Sequence, residues 1–216
     1  MRLLIIIFFL TTSKTCLCQD STNKIYYPSG QLKSFQIKKD SQNIYEKDFY
    51  ENGKVSGEGF GSFTNGKYNA KNYKRYYETG ILKATFTDTL LEAFEEDGRI
   101  YMHVEMENGI KNGEFRSYLV NKLSMIMHYK NGKKDGVSKS FNIKTGKVSM
   151  EENFKNGLQT GPARHYDENG KLTKEIFYEG DCPVKAIYYD KSSKPIKTVT
   201  DKMKLKLNEG VSFNCK

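Results

Sequence analysis

Short segments in which apolar positions recur at every second residue alternate with glycine-containing turns along most of the chain. The pattern is clearest in four segments: Ile100, Met102, Val104 and Met106; Leu123, Met125, Met127 and Tyr129; Val148, Met150, Glu152 and Phe154; Leu172, Lys174, Ile176 and Tyr178. A period of two places each set on one face of a β-strand. Because the offset from the preceding turn is the same in all four, we expect the sets to form one apolar stripe across neighbouring strands.

Asparagine–glycine dipeptides mark the ends of these segments. Asn-Gly occurs seven times and Asp-Gly twice, at Asn52-Gly53, Asn65-Gly66, Asp97-Gly98, Asn108-Gly109, Asn112-Gly113, Asn131-Gly132, Asp135-Gly136, Asn156-Gly157 and Asn169-Gly170. Both central residues of a type I′ turn need positive φ, which Asn and Gly tolerate, so the dipeptides predict hairpins. Steps of 23, 25 and 23 residues separate Gly109, Gly132, Gly157 and Gly180. Such regular spacing indicates an internal repeat.

The repeat can be written as Tyr-x-x-x-Gly-x-Leu, a strand, Asn-Gly-x-x-x-Gly and a second strand. The best copies run from Phe141 to Gly161 and from Tyr166 to Gly180, and we count seven to eight units between Ile25 and Asp190. This pattern resembles the bacterial variant of the MORN repeat, found in proteins often labelled YwqK-like antitoxins. The resemblance covers roughly residues 25–190 and departs from the pattern at 57–72 and 84–96.

A single hairpin cannot bury its own apolar face, whereas stacked hairpins stabilise one another. We therefore predict an all-β fold: an elongated, twisted, antiparallel meander of stacked hairpin repeats in a single-layer sheet, over residues 19–190. Gly57, Gly59 and Gly61 predict that the second unit is flexible or bulged. Residues 191–216 form a basic tail in which Met203, Leu205 and Leu207 alternate with lysines. We expect this tail to add capping strands whose lysines oppose edge-to-edge pairing.

The N-terminal 18 residues are typical of a secretory signal peptide. Arg2 precedes the apolar run from Leu3 to Leu10, which is too short to cross a bilayer, and small residues precede a cleavage site near Cys18. We expect an exported protein, periplasmic, envelope-associated or secreted, and a lipid anchor is disfavoured because Thr15 and Leu17 precede the cysteines. A buried N-terminal strand is the alternative. Cleavage removes two basic residues and no acid, so the net charge falls from +9 to +7.

Two cysteines remain after cleavage, Cys182 and Cys215. An oxidising compartment permits a disulfide between them, which would tie the tail to the last repeat. Two unpaired thiols are the alternative.

The sequence carries no signature of catalysis. The glycines lie between strands rather than between a strand and a helix, and His103, His128 and His165 fall at different offsets in their units. A single-layer sheet also lacks the cleft that paired carboxylates need. We predict no catalytic residues, no metal site and no cofactor.

Basic and aromatic residues recur together on the returning strands, and they are the candidate partner-binding site. The pairs are Lys74 and Tyr76, Arg116 and Tyr118, Lys139 and Phe141, and Arg164 and Tyr166. These side chains can receive an anionic partner. Alternatively, the aromatic residues form a ladder that stabilises the sheet while the bases extend past it.

We therefore expect a non-enzymatic, exported binding or scaffold protein, and the resemblance implies an antitoxin- or immunity-like role. A protein partner, including an acidic one, is favoured over an anionic glycan or lipid, and nucleic acid is disfavoured outside the cytoplasm. A self-assembling structural envelope protein and an anionic-lipid-binding surface protein are the alternatives.

Overall fold

The computed structural model describes residues 22–40, 43–64 and 67–200, together with Leu205. The proposed signal peptide and Cys215 lie outside these residues. The strands are β1 (Thr22–Tyr26), β2 (Leu32–Lys38), β3 (Ile44–Phe49), β4 (Val55–Thr64), β5 (Lys67–Tyr76), β6 (Leu82–Phe86), β7 (Leu90–Phe94), β8 (Ile100–Glu107), β9 (Ile110–Leu119), β10 (Lys122–Lys130), β11 (Lys133–Lys134), β12 (Gly136–Phe141), β13 (Val148–Lys155), β14 (Leu158–Gln159), β15 (Gly161–Tyr166), β16 (Leu172–Glu179), β17 (Cys182–Tyr189) and β18 (Pro195–Val199).

All 18 strands belong to one open antiparallel sheet, which confirms the predicted meander. Each strand pairs with its neighbours in sequence, and β11 and β14 extend β12 and β15 along the same partners, β10 and β13. The sheet therefore has sixteen strand positions. At about 4.8 Å between strands, it measures roughly 70 Å along its surface.

Eight hairpins have their turns on the same side of the sheet, where the strands end, and they are built alike. We call this side the hairpin edge. Each has a pair, which we call the closing pair, whose first member is an aromatic residue, and a bulge follows that pair on the second strand. The aromatic residue is the last of its strand in seven hairpins, and in β9 it is Tyr118, one residue before the final pair Leu119–Lys122. The closing pairs are Tyr26–Leu32, Phe49–Val55, Tyr76–Leu82, Phe94–Ile100, Tyr118–Leu123, Phe141–Val148, Tyr166–Leu172 and Tyr189–Pro195. Bulges increase local strand twist. The sequence predicts a bulge only in the second unit, from its glycines, whereas a bulge is present in all eight hairpins.

The glycine dipeptides play three different structural roles. Both residues have positive φ at Asn108-Gly109, Asn131-Gly132 and Asn156-Gly157, as a type I′ turn requires. Only the glycine has positive φ at Asn52-Gly53, Asp97-Gly98 and Asn169-Gly170, so the type I′ prediction is wrong there. Asn112-Gly113 lies inside β9, and Asp135-Gly136 lies where β11 passes into β12, so neither is a hairpin turn. Asn65-Gly66 lies outside the described residues.

The turns at Gly132 and Gly157 are hydrogen-bonded to the residues that follow the turn of the preceding repeat. The backbone N–H of Gly132 donates to the carbonyl of Lys111 and that of Gly157 to the carbonyl of Lys134, both at 2.8 Å. In the Asn-Gly-x-x-x-Gly motif, the side chain of the residue before the second glycine also accepts a hydrogen bond from the next repeat. Asn112 Oδ1 accepts from the backbone N–H of Asn131, and Asp135 Oδ2 from that of Asn156, both at 3.0 Å. The Asn-Gly-x-x-x-Gly spacing therefore links one repeat to the next.

The two faces of the sheet differ sharply in burial. Side chains alternate along a strand, and residues paired across strands lie on the same side, so the register assigns each residue to a face. All buried residues of the described strands lie on one face, which we call the buried face: Ser34, Gly57, Gly61, Tyr73, Ala84, Ala93, Val104, Ser138, Ala163, Ile176, Tyr178, Pro183, Ala186 and Val199. The opposite face, which we call the charged face, holds none.

Small side chains allow the buried face to exclude water although the part of the chain that the structure describes adds no second layer of strands. Alanine, serine and glycine are frequent at its mid-strand positions, where larger neighbours close over them. Tyr73 shows this most directly, since its ring covers Gly57 and its hydroxyl donates to Asp48 Oδ2 on the strand beyond. A Cβ atom at Gly57 would lie 2.5 Å from Tyr73 Oη, so any larger residue here would have to displace the Tyr73 ring.

The apolar stripe lies on the buried face as predicted, except for the first residue of each set. Met102, Val104, Met125, Met150 and Ile176 lie on the buried face. Ile100, Leu123, Val148 and Leu172 instead pair with the aromatic residues of the hairpin edge, because the bulge shifts the strand by one residue.

A cluster at the C-terminal end of the buried face includes the tail. Leu205 is fully buried against a group that contains Ala163, Ile176, Ala186 and Val199. Residues 195–199 form β18, a strand that was not predicted, whereas Leu205 in the predicted capping strand has helical rather than extended conformation. Met203 and Leu207 lie outside the described residues.

Candidate functional site

One row of paired residues crosses the charged face at every strand position. Each member is the direct cross-strand partner of the next. The row, which we call the charged row, consists of Lys24, Phe35, Lys47, Glu58, Lys74, Thr85, Glu92, His103, Arg116, Ile126, Lys139, Glu151, Arg164, Glu175, Ile187 and Thr198. It contains six lysines or arginines and four glutamates, a formal charge of +2 with His103 neutral.

The four bases singled out in the sequence, Lys74, Arg116, Lys139 and Arg164, all belong to the charged row. Arg116 is ion-paired with Glu114, Lys139 Nζ lies 3.2 Å from Glu151, and Arg164 Nε lies 2.9 Å from Glu175. Lys74 faces Glu58 across the strand pair and makes no ion pair with a described residue. The register thus gathers the four bases on one line, and acidic side chains lie beside three of them.

The four aromatic residues of the candidate site, Tyr76, Tyr118, Phe141 and Tyr166, also fall on one line, although other strands separate them. They belong to the eight aromatic closing residues next to the charged row. The other four, Tyr26, Phe49, Phe94 and Tyr189, were not recognised in the sequence as members of this set. The hairpin turn that follows each of these four residues would have revealed the set, because each of them is the last residue of its strand.

Sequence reasoning missed the glutamates of the row, which organise the bases and tyrosines around them. Glu58 lies 3.1 Å from Lys47 Nζ and accepts hydrogen bonds of 3.0 Å from the hydroxyls of Tyr45 and Tyr76. Glu151 accepts from the Tyr166 hydroxyl at 2.9 Å in addition to its ion pair. Glu175 accepts from the Tyr189 hydroxyl at 2.5 Å. Each of these carboxylates therefore joins a basic residue and a tyrosine.

These contacts shift the pKa values of the groups involved. The neighbouring Lys47 lowers the pKa of Glu58 against the opposing effect of partial burial, and the hydroxyls of Tyr76 and Tyr45 add to the shift. Burial tends to raise the pKa of Glu151, but Tyr166 and Lys139 together lower it below its ordinary value. Burial and the hydrogen bond to Glu151 raise the pKa of Tyr166 to about 12. The carboxylates are thus held in their charged form and the phenols in their neutral form.

The bases of the row extend further into solvent than the acids that hold them. The side chains of Arg116, Lys139 and Arg164 are 46%, 43% and 40% exposed, whereas their acidic partners are 22%, 22% and 13% exposed. Long basic side chains commonly keep their stems against the sheet and their charged heads in water. The outermost layer of this part of the row is therefore basic.

The histidines do not converge. His103 belongs to the charged row, with Nδ1 3.1 Å from Glu92, and His128 Nδ1 lies 2.8 Å from the carbonyl of Val137. His165 pairs with Met150 on the buried face. Within the described ranges, no three His, Cys, Asp or Glu side chains are grouped so that they could hold a metal ion.

Cys182 is disulfide-bonded. Its predicted partner, Cys215, lies outside the described residues, so that pairing stays a prediction. No helix among the residues that the structure describes is long and apolar enough to span a membrane.

A family model for the MORN repeat variant matches residues 159–179. This segment runs from β14 through β16 and contains the Tyr166–Leu172 closing pair, so it corresponds to one hairpin of the sheet. The match supports a MORN-repeat protein, and a repeat of this kind suggests a binding or scaffold role. No curated protein matches the chain.

Proposed function

We propose that the chain is a non-enzymatic, exported binding protein whose charged face receives an acidic protein partner. The observation that carries this proposal is the charged row, to which every strand position contributes one residue and in which no described residue is buried. The candidate contact residues are Lys74, Tyr76, Arg116, Tyr118, Lys139, Phe141, Arg164 and Tyr166. Neutralisation of a toxin, as the antitoxin label implies, is one form of this function.

The spacing of the bases supports a protein partner. Lys139 and Arg164 lie on either side of Glu151, and two strand spacings separate them by about 10 Å. Fixed charges at such intervals match acidic side chains on a folded surface. An anionic membrane would instead favour an uninterrupted basic cluster, and the glutamates interrupt this one.

Self-assembly receives less support from the sheet edges. β1 carries Lys24, and β18 carries Lys197, so both outer strands of the described sheet present lysine. Lysine on an edge strand opposes pairing with another copy.

A charge exchange tests the proposal. The variant Lys139→Glu, Glu151→Lys, Arg164→Glu, Glu175→Arg keeps the net charge and opposite-sign pairing but moves each charge by one strand. The control, Lys144→Glu with Glu168→Lys, exchanges charges in exposed hairpin turns instead. Residues 19–216 of each form are immobilised and titrated with secreted and envelope proteins of the source organism, beginning with products of neighbouring genes.

We expect one protein to bind saturably to the wild type and the control, with at least ten-fold weaker binding to the exchange variant. Thermal denaturation checks that all three chains are folded. Equal binding to the exchange variant would remove the charged row from the interface. The absence of any saturable partner for the folded protein would overturn the binding role.

A further inference from the structure

A cavity of about 350 Å³ opens on the buried face, near the hairpin edge of the first three units. Its lining includes Lys33, Asp48, Ser56, Tyr73, Arg75 and Lys83. None of these residues belongs to the charged row, and they lie on the opposite side of the sheet. The lining also includes Phe49 and Tyr76, two of the aromatic closing residues, so the cavity shares Tyr76 with the proposed protein-binding site but no residue of the charged row.

The bulges of three successive hairpins form the cavity. Lys33, Ser56 and Lys83 are the extra residues of those bulges, so they occupy equivalent positions in neighbouring units. The middle position carries a small serine and is followed by Gly57, which lies between Asp48 and Arg75 in the register. Small residues at the centre and long ones on both sides leave a hollow.

Three cations surround this hollow without an ion-pair partner among the described residues: Lys33, Arg75 and Lys83. Lys33 Nζ lies 5.5 Å from the ring centre of Tyr27, and Lys83 Nζ lies 5.0 Å from that of Tyr77. Asp48 is the acidic residue of the lining, and it accepts the hydrogen bond of the Tyr73 hydroxyl. Three positive charges and one negative charge leave an excess of two positive charges.

Tyrosines that are fixed in place form part of the wall. The Tyr27 hydroxyl donates to the carbonyl of Phe49 at 2.8 Å, and the Tyr50 hydroxyl donates to the carbonyl of Tyr76 at 2.7 Å. Both tyrosines line the cavity. Because their hydroxyls are tied to the backbone of the next unit, their rings are held in position before any ligand arrives.

We propose that this cavity binds a hexose-sized sugar that carries one phosphate or carboxylate group. The volume falls at the lower end of the range for small-molecule sites. A guanidinium such as that of Arg75 binds the oxygens of a phosphate or carboxylate in pairs, and the two lysines add charge on either side. Aromatic rings offer flat apolar surfaces against which the carbon face of a sugar ring packs.

Calorimetric titration of the purified chain, residues 19–216, with glucose 6-phosphate and with glucuronate tests this assignment. Glucose and inorganic phosphate serve as probes of the sugar and the anion alone. We expect at least one charged sugar to bind, glucose to give no binding, and inorganic phosphate to bind at least ten-fold more weakly than the charged sugar. No binding of either charged sugar would overturn the proposal. Equal binding of inorganic phosphate would reduce the site to an anion site without a role for the sugar.

Two variants and a matched control locate the site. Arg75→Ala is expected to weaken binding at least ten-fold, and Ser56→Phe is expected to abolish it by filling the hollow. Arg164→Ala removes a comparable cation from the charged face and should leave sugar binding unchanged. Sugar binding unaffected by both cavity variants, or weakened equally by Arg164→Ala, would contradict the assignment. The charge-exchange variant should bind the sugar normally, so failure of the protein-binding proposal would leave this one intact.

Discussion

The two faces of the single-layer sheet are stabilised in different ways. On the buried face, Ala84, Ala93, Ala163 and Ala186 are at most 7% exposed although the described residues form no second sheet over them. On the charged face, ion pairs and tyrosine hydroxyls join neighbouring strands at the surface. One face therefore stabilises the sheet by excluding water from small side chains, and the other does so through polar contacts that remain hydrated.

The pKa values of glutamates on the two faces are shifted in opposite directions. Burial raises the pKa values of Glu46 and Glu152, which lie on the buried face. Basic and tyrosine neighbours lower those of Glu58 and Glu151 on the charged face. The same residue type thus opposes folding at neutral pH on one face and favours it on the other.

The largest expected effect comes from breaking the close packing of the buried face. A Cβ atom at Gly59 would lie 2.1 Å from the carbonyl oxygen of Asn72 and 2.5 Å from Tyr73 Cα, both backbone atoms. Gly59→Ala must therefore displace β5 and should cost about 3 kcal/mol of unfolding free energy, measured by urea denaturation. The control is Glu58→Ala, the adjacent residue on the charged face, with an expected loss of about 1 kcal/mol. Equal losses at the two positions would remove the distinction between the faces.

A smaller effect is expected at the C-terminal end of the buried face. Leu205→Ala removes a fully buried side chain from the cluster around Ile176 and Ala186 and should cost about 2 kcal/mol. Ile196 on β18 is 66% exposed, so Ile196→Ala should change stability by less than about 0.5 kcal/mol. Urea denaturation of both variants checks this. A Leu205→Ala variant as stable as wild type would show that the tail does not stabilise the sheet.

The smallest effects depend on pH and have opposite signs on the two faces. Because the folded-state pKa values of Glu58 and Glu151 are lowered, their stabilisation is complete above the unfolded pKa of about 4.3 and is lost as pH falls through the folded values. The folded-state pKa values of Glu46 and Glu152 are raised, so the pH dependence has the opposite sign. The stabilisation from these two residues is present below the unfolded pKa and is lost as pH rises through the folded pKa values.

Glutamine substitutions at these four positions test the opposite signs. Glu58→Gln with Glu151→Gln should lower the melting temperature at pH 7 and leave it unchanged near pH 2. Glu46→Gln with Glu152→Gln should raise the melting temperature at pH 7 relative to wild type and give no gain near pH 2. If the melting temperature at pH 7 shifts in the same direction for both double variants, the proposed difference between the two faces is wrong.

Much of the fold follows from the sequence because alternation and turn chemistry are local. The strands around Met125, Met150 and Ile176 and the turns at Gly132 and Gly157 could be predicted from a few consecutive residues. The eight bulges could not, since a bulge depends on which residue of the partner strand is paired. This is why Ile100 and Leu172 were assigned to the wrong face.

The candidate site was predictable in part for the same reason. Lys139 and Arg164 repeat at the same offset in successive units, so their alignment can be seen in one dimension. Their partners Glu151 and Glu175 lie on the other strand of each hairpin, and only the register places them opposite the bases. The sugar-sized cavity is harder to predict, because it requires knowing that three bulges align. Only then does the small side chain of Ser56 lie between Lys33 and Lys83 and leave a hollow.

The hydrogen bonds between a turn and the preceding repeat make the molecule adjustable in length. Gly132 bonds to the preceding repeat in the same way as Gly157 does, and among the described residues each strand packs chiefly on its neighbours in sequence. A repeat gained or lost by gene duplication or deletion, such as residues 113–135, would rejoin equivalent surfaces without creating a new kind of contact. The length of the sheet, rather than the shape of any one repeat, is therefore the property that such a chain can most easily vary.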